Sequence, residues 1–84
     1  MNSKINELLS KIIVKVNEIN LKEKSTIIFY YLGHTKGIEL DVYTSGWKEY
    51  NKPEISINTY LDLDGEKGLE DILKVLEELE EIGG

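Results

Sequence analysis

"STIIFYYLGHTKGIELDVYT", residues 25 to 44, decides the fold. Its first part, "STIIFYYLG", is dense in β-branched and aromatic side chains, is apolar at both alternating sets of positions, and stops at Gly33. Such residues pack well on a pleated surface, so the segment reads as a strand. The second part, "GIELDVYT", sets Ile38, Leu40 and Val42 against Glu39, Asp41 and Tyr43, the period-two pattern of a strand with one buried face. The link "HTKG" is short enough for an antiparallel hairpin, and Gly37 suits the left-handed position of a three-residue turn with a bulge. That turn directs Ile28, Tyr30 and Leu32 toward the core and Phe29 and Tyr31 away from it. A loop one residue different reverses every side chain, because side chains alternate strictly along a strand.

Outward from the hairpin the periodicity changes. Upstream, Ile5, Leu8, Leu9, Ile12, Ile13, Val16 and Ile19 recur at helical spacing and predict a helix over residues 3 to 20, with Asn2 or Ser3 as its cap and Asn20 as its end. Downstream, "SGWKEYNKPE" is a polar connection whose Pro53 marks the start of another strand, "EISINTYLD", with Ile55, Ile57, Thr59 and Leu61 on its inner face. From Asp64 onward Leu69, Ile72, Leu73, Leu76, Leu79 and Ile82 return to helical spacing, and Gly83 supplies the stop. The order is helix, three strands, helix. An α+β fold, a three-stranded antiparallel meander covered by amphipathic helices, satisfies each apolar stripe. Both helices are expected on one face of the sheet. One helix on each face is the alternative, because the first strand is apolar on both sides.

The 84 residues make one domain, 1 to 84. A chain this short buries roughly 60 to 65% of its unfolded surface and holds ~4 to 12 kcal/mol of stability. Without cysteine it has no disulfide, thiolate metal site or cysteine nucleophile. Its start alternates lysines and acids with apolar residues, unlike a signal peptide or a membrane span. The expected location is cytoplasmic. Every basic residue is lysine, so the planar fork that binds phosphate bidentately is missing, and the formal net charge is -6. Direct nucleic-acid binding is not expected.

"YLDLDGEKGLED", residues 60 to 71, invites a calcium-loop reading. Placing Gly65 at the sixth position of an EF-hand loop puts Asp62 and Asp64 at the third and fifth, but leaves Tyr60 at the first, Lys67 at the eighth and Asp71 at the last. The first carboxylate is lost and the bidentate ligand shortened. Helix initiation accounts for the stretch instead, with Asp64 as N-cap, Glu66 in the first turn, and Gly65 and Gly68 loosening the start. No metal or cofactor is expected. Catalysis has thin support as well: His34, the sole histidine, falls in a hairpin turn, and no serine elbow, Walker loop or dinucleotide fingerprint is present. The chain reads as non-enzymatic.

The acidity is local. Residues 62 to 84 hold nine acids and two lysines, a net of -7, leaving seven acids and eight lysines, +1, for the rest. On a helical wheel Glu66, Glu70, Glu77 and Glu81 form one row, with Asp71 and Glu78 across a strip containing Lys67 and Lys74. Glu70–Lys74 and Lys74–Glu78 are candidate i,i+4 pairs, whereas Glu66/Glu70 and Glu77/Glu81 repel. The row spans ~22 Å, over which duplex DNA presents ~13 charges against its four. Mimicry of nucleic acid would need a second row, from Glu39, Asp41 or other acids. Lys4, Lys11, Lys15 and Lys22 line one flank of the first helix and offer internal neutralisation instead.

Aromatic residues supply a second surface. With both helices on one face, Tyr43 and Tyr60, joined by Tyr30 or by Phe29 and Tyr31, are left on the other, a patch suited to an interface or a homodimer. Trp47 and Tyr50, in the longest connection, are candidate anchors, with Trp47 alternatively folded over the open end of the sheet.

In its stretches "YYLGH", "GWKEYNKPE" and "YLDLD", its size, its acidic balance and its element order, the chain resembles the small orphan proteins of bacteriophages of Gram-positive bacteria. That group includes anti-CRISPR and other anti-defence inhibitors. The resemblance covers the chain in outline, rests on no diagnostic motif and carries over no functional residue. It implies stoichiometric inhibition by occupying a basic or aromatic-accepting surface of a host protein. The expected contacts are Glu66, Glu70, Glu77, Glu78 and Glu81 with Trp47 and Tyr50. The alternative is a self-associating structural or adaptor protein that dimerises through its exposed sheet face.

Overall fold

The structure, a computed structural model, describes residues 3 to 83. Helix α1 covers Ser3–Leu21, strands β1, β2 and β3 cover Thr26–Leu32, Gly37–Tyr43 and Ile55–Tyr60, and helix α2 covers Gly65–Glu81. The strands form one antiparallel sheet in the order β1-β2-β3. Element type and order follow the sequence periodicities. Ser3 is the first helical residue of α1, and Asn2, the other candidate cap, lies outside the described residues.

The register of β1 is the reverse of the one expected. Leu32 pairs directly with Gly37, so the connection is residues 33–36, and the left-handed backbone falls on Lys36 (φ 56) and not on Gly37. One extra loop residue turns the strand over. Ile27, Phe29 and Tyr31 lie opposite Val42, Leu40 and Ile38, while Ile28, Tyr30 and Leu32 share the other side with Asp41, Glu39 and Gly37.

A single apolar cluster joins Ile5, Leu8, Ile12 and Ile19 of α1 to Leu69, Ile72, Leu76 and Leu79 of α2. Ile27, Ile38, Leu40 and Val42 of the sheet belong to it, with Phe29, Ile55 and Ile57 packed against it. All these sheet residues occupy one side. The other side carries Ile28, Tyr30, Leu32, Glu39, Asp41, Tyr43, Ser56, Asn58 and Tyr60, none of them in the cluster. The two helices meet with like ends together: a Cβ on Gly65 would lie 3.5 Å from Ile5, and Lys15 reaches Glu80. Ile13, inside the apolar stripe of the sequence, is 54% exposed. At ~100° per residue it falls well round from Ile12.

The entry to α2 is built differently from the sequence reading. Asp64 makes no side-chain cap bond; its backbone (φ -110, ψ 38) departs from the extended geometry that holds a cap carboxylate over the first turn. Its carbonyl accepts the Gly68 N–H at 2.8 Å. Gly68 is a packing requirement and not a loose link, since a Cβ there would collide with the Thr59 side chain of β3. Gly83, at φ 81, ends the helix as expected.

Candidate partner-binding surface

Glu66, Glu70, Glu77, Glu78 and Glu81 are all exposed on α2. Among the described residues none of them takes part in an ion pair. The lysine flank of α1 claims one acid of α2, and it is Glu80: the Lys15 ammonium donates to Glu80 Oε1 at 2.8 Å in a half-buried contact. That hydrogen bond raises the Lys15 pKa above its ordinary value against a lowering by burial, with Glu80, Glu77 and Glu18 adding Coulombic support. Glu77 therefore feels Lys15 without being bound to it. Lys11 turns to Glu7 on its own helix at 3.7 Å, and Lys67 to Asp71 at 3.1 Å. The expected pairs of Lys74 with Glu70 and Glu78 are not formed among the described residues.

The last turn of α2 carries no basic residue. Glu77, Glu78 and Glu81 thus stand at the end of the helix where its dipole disfavours negative charge, and Glu77 and Glu81 also repel each other at i,i+4 spacing. The molecule tolerates a charge arrangement that lowers its own stability.

Glu39 and Asp41 do not extend this band. Both alternate onto the side of the sheet away from the cluster that contains the α2 core residues. Asp41 is only 9% exposed and accepts a 2.8 Å hydrogen bond from the Ser56 hydroxyl on β3. Tyr43, expected exposed, is buried beside it; burial, then Asp41, raises its phenol pKa. Tyr30, Leu32 and Tyr60 remain exposed around them.

Trp47 and Tyr50 occupy the connection over residues 44–54. The Trp47 N–H donates to Thr26 Oγ1 of β1 at 3.0 Å, which ties this loop to the sheet, while its side chain is 55% exposed. Tyr50 is 95% exposed and holds a left-handed backbone at φ 69. The base of the loop, Thr44 and Ile55, lines a cleft with Val75, Glu78 and Leu79, so loop and helix approach at the Glu78 end. Glu66 and Glu70 lie at the opposite end of α2. The five sequence-derived glutamates therefore share the exterior of α2, and the structure brings the base of the Trp47 and Tyr50 loop, through Thr44 and Ile55, to the Glu78 end.

Asn20, read from the sequence as a helix end, has a further role. Its side-chain amide donates to the Ile27 carbonyl at 3.0 Å and accepts from the Ile27 N–H at 2.7 Å. Among the described residues, no three His, Cys, Asp or Glu side chains gather to hold a metal ion, and His34 is exposed in the β1–β2 connection. No described helix is long and apolar enough to cross a membrane. Comparison with known protein families, with characterised proteins and with solved structures finds no match to any of them.

Proposed function

We propose that this chain is a non-enzymatic binding module that sets the α2 carboxylates against a basic surface of another protein and acts stoichiometrically by occupying it. One observation carries the reading. Glu66, Glu70, Glu77, Glu78 and Glu81 are exposed and, among the described residues, free of internal ion pairs, although a lysine flank lies on the neighbouring helix and already engages Glu80. The position of Glu77, Glu78 and Glu81 against the helix dipole costs stability that fold alone does not require. Trp47 and Tyr50, exposed on the connection over residues 44–54, supply aromatic area of the kind that anchors interfaces. The likeness in outline to phage anti-defence inhibitors agrees with this mode of action. Both helices share the inner side of the sheet in this reading, because their buried residues meet one set of sheet side chains.

Nucleic-acid mimicry is a weaker version of the same idea, since Glu39 and Asp41 supply no second row beside α2. Self-association through the outer side of the sheet draws on exposed Tyr30, Leu32 and Tyr60. Asp41 weighs against it: face-to-face copies would bring two carboxylates into one dehydrated contact, which is costly for like charges.

The test is capture of a partner from a lysate of the source cells, followed by titration with the purified partner. Release at high salt and a weakening of at least about tenfold in Glu70→Lys/Glu77→Lys are expected. Binding indifferent to both salt and charge reversal would overturn the reading.

A further inference from the structure

Among the described residues β1 is an edge strand, with β2 on one side and no strand on the other. Both main-chain groups of Ile27 bond the Asn20 amide, so they point away from β2. Val42, opposite Ile27, agrees, because its carbonyl accepts from Glu54 N–H on the β3 side at 2.9 Å. Main-chain direction alternates along an antiparallel pair, so the N–H and C=O of Phe29 and Tyr31 also point outward. Among the described residues nothing takes up those outward groups. Asn20 thus stands in for one residue of a missing neighbour strand and leaves the next two positions open.

The edge is undefended. Its sequence, TIIFYYL, contains no lysine, no other charge and no proline, the usual devices against edge pairing. The flank of α1 beside it is also uncharged. At ~100° per residue Leu9, Asn20, Ile13, Asn6 and Asn17 follow one another round the helix on the side away from Lys4, Lys11, Lys15 and Lys22. Leu9 and Ile13 line an apolar cleft of about 310 Å³ with Phe29 and Tyr31, open beside the strand.

We propose that a second copy of this chain pairs with the β1 edge, antiparallel and about a two-fold axis through Tyr30, so that one sheet runs through both copies. The register follows from Asn20. With Ile27 already bonded, the free positions are Phe29 and Tyr31, and the axis through Tyr30 sets each Phe29 against the second copy's Tyr31. Each such pair exchanges both of its N–H···O bonds. The occupant is a second copy because of where the charge lies. The molecule is acidic through α2, which packs beside β3. Copies joined at β1 keep their acidic helices at opposite ends of the joined sheet, and bring together strands and helix flanks that carry no charge to repel. Edge-to-edge pairing also leaves Asp41 outside the contact.

This interface is independent of the acidic band, and the experiment separates them. Sedimentation equilibrium of the full chain over a wide concentration range is expected to give a monomer–dimer equilibrium. Tyr31→Pro removes an outward N–H without touching a β1–β2 bond, and proline is tolerated at such edge positions. It should raise the dimer Kd by at least about tenfold, with circular dichroism unchanged. Tyr60→Lys, on the open sheet face, and Glu70→Lys/Glu77→Lys, on α2, should leave the dimer intact. Since the chain has no cysteine, Tyr30→Cys gives a second readout. The axis brings the two cysteines directly opposite in a non-hydrogen-bonded pair, a spacing compatible with a disulfide. It should cross-link under mild oxidation faster than Leu32→Cys. A monomer at all concentrations, a dimer abolished by Tyr60→Lys but not by Tyr31→Pro, or equal cross-linking of the two cysteine variants would overturn the proposal. So would occupation of the edge by a strand of another protein in place of the second copy.

Discussion

The two flanks of the molecule solve the same packing problem in opposite ways. On the β3–α2 flank the helix lies so close to the sheet that Gly68 and Thr59 leave no room for a Cβ, and the helix exterior is a dense band of carboxylates. On the β1–α1 flank the contact is looser. Ile13 stays half exposed, an apolar cleft opens between helix and strand, and a side-chain amide occupies part of the strand edge. The β3–α2 flank is charged, closed at Gly68 and open only at the Glu78 end, where Ile55, Val75 and Leu79 line a cleft; the β1–α1 flank is open and neutral.

The contrast is most exposed to test by truncating a side chain on each flank. Leu76→Ala, fully buried on α2, should cost ~2 to 5 kcal/mol in urea denaturation, and Ile13→Ala under ~1 kcal/mol. Comparable losses would erase the distinction. Next in size is the close approach itself. Gly68→Ala should destabilise by ~1 to 3 kcal/mol through overpacking against Thr59. Gly65→Ala should stay within ~0.5 kcal/mol of wild type or gain, because its Cβ would meet Leu61 and Ile5 at ordinary contact distances of 3.4 to 3.5 Å and alanine favours the helix.

On the open flank, Asn20→Ala strips both partners from Ile27 and should cost ~1 to 2 kcal/mol, read as faster amide exchange at Ile27 before any global loss. The smallest effect is alkaline. The stabilisation from Lys15 is fully present below the ordinary lysine value of 10.5 and is lost as pH rises through its higher folded value. The buried Tyr43 phenol acts in the same direction, since the unfolded chain ionises first, from about pH 10 upward. The denaturation midpoint should hold to about pH 9 and fall above pH 10. Lys15→Met combined with Tyr43→Phe should flatten that fall.

Element order, sheet topology and the acidic exterior of α2 were legible because each leaves a periodic signature in a continuous segment. Ile38, Leu40 and Val42 alternate with polar residues, so β2 has one possible core face; β1 is apolar on both, so a single loop residue at Lys36 decided its orientation. Gly68 reads as a weak helix residue until Thr59 is known to lie against it. Asn20 and Ile27, or Lys15 and Glu80, meet only after the chain has folded, although at ~100° per residue Glu80 falls between Leu69 and Leu73, apart from the exposed glutamates. The candidate site was therefore legible as a composition and a face, whereas the pairing of Glu80 with Lys15 across the two helices was not.

The most direct measurement compares neutralised carboxylates within α2. If the band is held free by the fold, Glu77→Gln/Glu81→Gln relieves an i,i+4 repulsion and an unfavourable helix-end charge, and should raise stability at low salt by ~0.5 to 1 kcal/mol. Glu80→Gln should lower it by taking the partner from Lys15. A less stable double variant would mean that the molecule itself holds those carboxylates, contradicting the claim that they are left for a partner.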